Sequence, residues 1–335
     1  MNFAEAEFST DGLNQPRPFV APSNVARGSS FLNFHRENRH RIVASLCGRE
    51  LAADQFYRFL VSQLAIKPGK PLICILYGGA EAGHNGFIQR LIEIGLREEI
   101  HCLFGAEQGS LQALTDLPWP AHDPLPERQD ALLTTLFSTL NFSLHNDLTP
   151  NLLATLLRGA KQQAVVLHHI IVADRLDFVA KTLLKWYLSF WNEFPGAVNS
   201  SQIIVFLDFR NSAKDAKNPL VTWWRKRREK RDLRQIAELA RKPTGDLPIL
   251  FLGELPMVSR SEVGEWFRHY TDFSNSEIAD RVNHIYPPLV TRLNMRAIEL
   301  KLLDIPQEHF KEGAIDDVRK RFRALRRSWQ HAGRT

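Results

Sequence analysis

The sequence predicts an α/β protein: a mostly parallel sheet flanked by helices, with a helical C-terminal extension. Short continuous apolar runs carry that expectation, among them Pro71–Tyr77 (PLICILY), Ala164–Val172 (AVVLHHIIV) and Gln202–Phe209 (QIIVFLDF). They have strand length, no polar alternation, and helix-length segments between them, the pattern of parallel strands buried on both faces. A glycine-rich stretch, Gly78–Gly86, follows the first run and leads into helical spacing at Ile88, Leu91, Ile92 and Leu96. From Ser259 to Trp329 the pattern is largely helical, broken at Pro287-Pro288 and Pro306.

In chain order, residues 1–30 hold Pro16, Pro18, Pro22, Gly12 and Gly28 without an apolar period, and read as a flexible arm. Residues 31–66 form a helical segment through Ile42, Leu46, Phe56, Phe59, Leu60 and Leu64. The α/β domain is expected over 67–270 and a basic helical region over 271–335. Within the domain a second strand is expected at Ile100–Phe104, and a surface loop at Leu117–Arg128, which has four prolines. Helices follow at Arg128–Leu140 and Pro150–Lys161, the latter with Thr149 as N-cap and Pro150 in its first turn. A long helix is expected at Asp174–Glu193 and a fifth strand at Leu247–Leu252.

Length and composition narrow the function classes. The chain has 335 residues, enough for two domains or one large α/β unit with appendages. Apolar residues make up 44% and charged residues 24%, which excludes disorder throughout. No apolar run approaches the ~18 residues of a membrane helix, and MNFAEAEFST lacks the basic-then-apolar order of a signal peptide. Cys47, Cys74 and Cys102 are odd in number and far apart, so neither a disulfide framework nor a cysteine metal site is expected, and the cytoplasm fits.

The glycine stretch has the spacing of a phosphate-binding loop. A working loop reads GxxxxGK[ST], in which Lys reaches the β and γ phosphates and Ser or Thr holds magnesium. Gly78 and Gly83 occupy the glycine positions, but His84 and Asn85 stand in place of Lys and Ser/Thr. His, with an ordinary pKa of ~6.5, is mostly neutral at pH 7. Asn85 offers an amide oxygen in place of a hydroxyl, and Glu81 puts a negative charge where a triphosphate would lie. The strand-end acid of an ATPase is also missing: His168 and His169 stand where it is expected in Ala164–Val172. Asp208 closes Gln202–Phe209 as such an acid would, although a strand-end Asp commonly just caps the next turn. The glycines themselves also suit an ordinary strand-to-helix turn.

PLICILYGGAEAGHNGFIQRLIEIGL resembles the eroded loop of the inactive STAND family, relatives of signal-transducing P-loop ATPases that have lost the hydrolysing residues. QAVVLHHIIVADRLDFVAKTLLKWYLSFWNEF, QIIVFLDF and LPILFLGELPMVSRSEVGEWF agree in order, so the resemblance runs from about Leu51 to about Tyr270. It implies a P-loop-like fold, no enzymatic activity, no catalytic residue and no cofactor. It also implies a scaffold or sensor of a prokaryotic conflict, antiphage defence or signalling system, working with a protein partner. Gly78, Gly83, His84 and Asn85 would then be a relic or a weak anion or nucleotide contact.

The remaining constellations have bland and sharp readings. His35 and His40 lie close together, and His168 and His169 are adjacent, but none has familiar metal-ligand spacing. Neighbours on a strand face opposite ways, so His168 and His169 should not share a ligand. Trp186, Tyr187, Phe190 and Trp191 mark a helix face packed on the sheet. The net charge of +6 is concentrated in Trp223–Arg234 and Asp316–Arg327. Val318, Phe322, Leu325 and Trp329 would form the docking stripe of the second helix, leaving its basic residues outward. Arg225, Lys226, Arg227, Arg228 and Arg231, with Arg319, Arg323 and Arg326, are therefore candidates for contact with nucleic acid or an acidic partner; a solvated basic face is the bland alternative. Two other functions stay open at this point: a nucleotide-binding switch without fast hydrolysis, and a nucleic-acid-associated subunit using its basic helices.

Overall fold

The computed structural model describes residues 43–44, 46–79, 81–104, 111–120, 124–142, 148–159, 164–172, 178–196, 201–211, 227, 231, 234–238 and 245–332. Five parallel strands form the central sheet: β1 (Leu72–Gly79), β2 (Leu111–Pro118), β3 (Ala164–Val172), β4 (Gln202–Asn211) and β5 (Ile249–Glu254). Their spatial order is β2-β3-β4-β1-β5. The inner strands β1, β3 and β4 are buried almost end to end, as their unbroken apolar runs predict.

One face of the sheet carries α4 (Leu125–Thr139), α5 (Pro150–Gly159) and α6 (Phe178–Asn192). Leu136, Phe137, Leu153, Leu157, Tyr187 and Trp191 pack there against Ile73, Ile75, Val165, Leu167, Val205 and Leu207. Tyr187, Phe190 and Trp191 of α6 are thus core, and Thr149 Oγ1 caps α5 by accepting from Leu152 N at 3.2 Å. The other face carries α1 (Glu50–Ile66), whose Phe56 ring stacks on Phe206 at 5.7 Å. Beside α1 runs α2 (His84–Arg90), which passes through a π-helical stretch (Leu91–Leu96) into α3 (Arg97–Phe104). Tyr57 lies so close to Gly95 that a β-carbon there would come within 2.1 Å of the ring. Only glycine lets α1 and the π-helical stretch approach this closely.

Two expectations need correction. Ile100–Phe104 is the end of a helix; five apolar-rich residues are too few for periodicity to separate strand from helix. The second strand instead lies at Leu111–Pro118, with Pro118 at its last position. It is an edge strand, where proline and modest apolar content are tolerated, so its sequence gives little strand signal. Leu117 and Pro118 accordingly leave the expected loop, and α4 begins at Leu125, three residues before Arg128.

The C-terminal region begins with β6 (Val258–Ser259), paired antiparallel with β7 (Arg292–Leu293). Between them lie α7 (Arg260–Tyr270) and α8 (Asn275–Ile285), each opened by a reciprocal capping box, Ser259 with Glu262 and Ser274 with Glu277. After β7 come α9 (Met295–Leu303), capped by Asn294, and α10 (Ala314–Ala332). Among the described residues no helix is long and apolar enough to cross a membrane.

Candidate functional site

Strand order locates the site. After β1 the chain crosses to β2 on one side, and after β4 it passes over β1 to β5 on the other. The C-terminal ends of β1 and β4 therefore flank a topological switch point, where open α/β sheets leave a crevice. Gly78 and Gly79 end β1 there, in register with Arg210 and Asn211 of β4. Gly83, His84 and Asn85 lead into α2.

The loop is held from two sides. Gly83 adopts the left-handed conformation, φ +66°, that glycine takes without strain. Buried Arg49 donates to Gly83 O at 3.2 Å and to Ala82 O. From the C-terminal region, Arg296 N donates to Glu81 O at 3.2 Å and Asn294 Nδ2 to Glu81 Oε2 at 2.6 Å. Met295 covers Gly83 so closely that a β-carbon there would meet its side chain at 3.0 Å. Glu81 is thus a handle for α9.

Inside the loop a polar network fills the crevice. Asp208 is fully buried and accepts from His168 Nε2 at 3.1 Å, from Arg210 Nε at 2.7 Å and from His84 Nδ1. The other nitrogen of His168 faces Asp116 Oδ1 at 2.7 Å. With a carboxylate oxygen at each nitrogen, only the doubly protonated imidazolium can donate to both. Arg210 also donates to Asn85 Oδ1. Burial disfavours the charge on His168, but its bonds to Asp116 and Asp208 outweigh this and raise its pKa. Burial alone would raise the Asp208 pKa, yet the bonds from His168, His84 and Arg210 hold it far below the carboxylate range. The bond from His168 likewise lowers Asp116. His84 Nε2 is buried and has no hydrogen-bond partner among the described residues; a β-carbon on Gly78 would lie 2.7 Å from it.

The chemistry of this arrangement is self-contained. The side chain at the lysine position turns inward to Asp208, and the one at the hydroxyl position is taken by Arg210. Asp208 and Asp116 balance His168 and Arg210 in charge. Among the described residues no three His, Cys, Asp or Glu side chains form a metal-binding group.

His169 faces the opposite side of the sheet, as strand alternation requires. Its Nε2 pairs with Tyr187 Oη at 2.7 Å beneath Trp119, and burial lowers its pKa to about 3. Sequence reasoning singled out Gly78, Gly83, His84 and Asn85, and the structure brings them together with Asp208 and His168. It missed Asp116, Arg210 and Arg49. Arg210 had a signal, since it follows Asp208 by two on a strand and so shares its face; Asp116 and Arg49 had none.

The basic segments are divided. Arg225, Lys226 and Arg228 lie outside the described residues; Arg227 and Arg231 are helical and exposed. In α10, Arg323 grips Glu98 with two bonds, Nε at 2.7 Å and Nη2 at 3.0 Å. Arg326 Nε donates to Glu99, and Arg319 approaches Glu93 and Glu98 at 3.9 Å. Phe322 packs edge-on against Tyr57 at 4.8 Å, whereas Leu325 is 42% exposed. The expected purely apolar docking stripe is therefore corrected: α10 docks through Phe322 and three arginines, because α3 and the π-helical stretch offer buried carboxylates.

Residues 45–208 match the family model of the inactive STAND domain. The match ends at Asp208, short of the extent to Tyr270 that the sequence suggested. A comparison with curated proteins gives no match. Among solved structures the chain is similar to one in the HORMA:CdnC:Trip13 complex of E. coli MS115-1, at 13% identity over 85% of this chain and 91% of that one, TM-score 0.41. It is also similar to Rhizobiales Trip13, at 13% identity over 86% and 89%, TM-score 0.32. A third similarity is to Drosophila ORC bound to AT-rich DNA and Cdc6, at 12% identity over 80% and 39%, TM-score 0.30. The likeness to the inactive STAND family thus holds over residues 45–208, just under half of the chain.

Proposed function

We propose that this protein is a non-catalytic adaptor or sensor of a prokaryotic conflict, defence or signalling system, acting in the cytoplasm through protein contacts. One observation carries it: both side chains at the chemical positions of the phosphate loop are engaged within the chain, buried His84 by buried Asp208 and exposed Asn85 by Arg210. At those two positions a triphosphate would meet no lysine and no magnesium-binding hydroxyl, because His84 and Asn85 occupy them.

The test is thermal unfolding with millimolar ATP or ADP plus magnesium, alongside a hydrolysis assay. Ligand at ~100 times its dissociation constant would add about 2.7 kcal/mol, a shift of several degrees. No shift and no hydrolysis are expected. Turnover in either case overturns the proposal. A shift in the natural protein that vanishes in His84→Ala, Asn85→Ala would instead establish the nucleotide-retaining switch. Buried His84 Nε2 beside Gly78, without a partner among the described residues, is a feature that favours that second function. For the adaptor role, the tagged chain purified from its source cell should carry a stoichiometric protein partner, read by light scattering; a bare chain under those conditions counts against it.

A further inference from the structure

Helices α7 and α8 and the segment entering β7 enclose an open groove of about 1000 Å³, above the range of a single-ion site and at the top of the ~300–1,000 Å³ range of ligand clefts. Three features of this surface have no explanation within the fold. Arg260, Arg268 and Arg292 line it, with Glu265 the acid among the lining residues, and none of the three pairs with a carboxylate among the described residues; Arg260 is held instead by the Asn283 amide. Gly264 lies between Arg260 and Arg268 on the same face of α7, where glycine weakens a helix. A β-carbon there would meet nothing within 4 Å, so close packing inside the chain does not require glycine. Two residues before Thr291 of the lining, Leu289 stands fully exposed with φ +71°. Val290 N donates to Pro287 O at 3.1 Å, which makes Leu289 the third residue of a turn whose left-handed position suits Gly or Asn. The floor is apolar, formed by buried Ile278 and Val282 of α8.

Unneutralised arginines around an apolar floor select a partner with carboxylates around an aliphatic side chain. Gly264 leaves room for its backbone, and the proline-braced Leu289 presents an exposed apolar side chain close in sequence to the lining. Strain and lost helix stability at one surface are what a binding site tolerates and a merely solvated surface does not need. We infer that the α7–α8 groove is the docking site for an acidic peptide segment, bearing aliphatic residues, of a partner protein. The inference rests on the adaptor function proposed above and assigns its contact surface.

The experiment uses the full chain against a phage-displayed library of random 12-residue peptides. The expected consensus has two or more Asp or Glu flanking Leu, Ile or Val. The synthetic consensus peptide should bind at least tenfold more weakly to Arg260→Glu, Arg268→Glu, and detectably more weakly to Leu289→Asn. Gly264→Ala should raise the melting temperature while weakening the peptide, a combination that a purely structural glycine would not give. Three results overturn the inference: no consensus, a consensus without acids, or binding unchanged in variants that melt like the natural protein. Equal competition by a single-stranded 20-mer DNA also overturns it, since the surface would then recognise any polyanion. A peptide indifferent to the groove variants sinks the groove and leaves the adaptor function standing. A bare chain from native purification sinks the adaptor function itself.

Discussion

Asp208 holds three side chains at once, and its removal should be felt by all of them. Asp208→Asn keeps the volume but leaves His84, His168 and Arg210 in a buried site without their anion. Breaking a buried pair by removing one partner costs roughly 3–5 kcal/mol, so urea unfolding should show a loss of about 3 kcal/mol. His168 gains protons on folding: its contribution is complete below the unfolded value of ~6.5 and is lost as pH rises through the raised folded value. His169 does the reverse. Its folded pKa of about 3 means the unfolded chain takes up a proton that the native state refuses, so stability is present above ~6.5 and lost as pH falls. That slope is about 1.4 kcal/mol per pH unit for one proton. His169→Gln, which keeps a partner for Tyr187, should flatten the stability profile between pH 4 and 6 by about that amount; an unchanged slope would place the proton elsewhere.

At the scale of elements, the docking of α10 shows why helix amphipathicity was an incomplete guide. Apolar spacing marks a stripe, but arginine can join a docking face when the opposing element supplies carboxylates it can desolvate with. Glu93, Glu98 and Glu99 are buried and meet Arg319, Arg323 and Arg326. Burial raises the Glu99 pKa despite the bond from Arg326, the sign of a carboxylate that depends on its partner. Arg326→Ala should therefore speed amide exchange along α10 and cost about 2 kcal/mol or more. Arg326→Ala with Glu99→Gln should recover part of it, and the cycle should show coupling on the order of 1–3 kcal/mol. Additive effects would mean the pair is a surface contact only.

At the scale of the whole molecule, the described residues are bound together through the same features. The α/β domain leaves a glycine loop that α9 covers and buried acids that α10 neutralises, so the C-terminal helices complete the domain rather than append to it. A chain ending at Glu254 should be insoluble or lack a cooperative melt, because Glu93, Glu98 and Glu99 would keep their burial cost without their cations. A soluble, cooperatively melting fragment would refute that dependence.

The inner strands and the helix face of Tyr187 and Trp191 were determined by sequence alone, as were the residue identities at His84 and Asn85. Each is a local pattern: unbroken apolar runs, 3.6-residue spacing, residue identity at a fixed offset from a glycine. Strand β2 was not legible, because an edge strand need not be apolar and its end carries Pro118. Nor was the fate of the glycine loop. That His84 turns inward and exposed Asn85 is held by a side chain depends on Asp208 and Arg210, more than a hundred residues away in sequence. Only the pairing of β1 with β4 brings them together. Tertiary structure decided the site because a buried charge takes its partner from whatever the fold places beside it, and spacing along the chain carries no record of that.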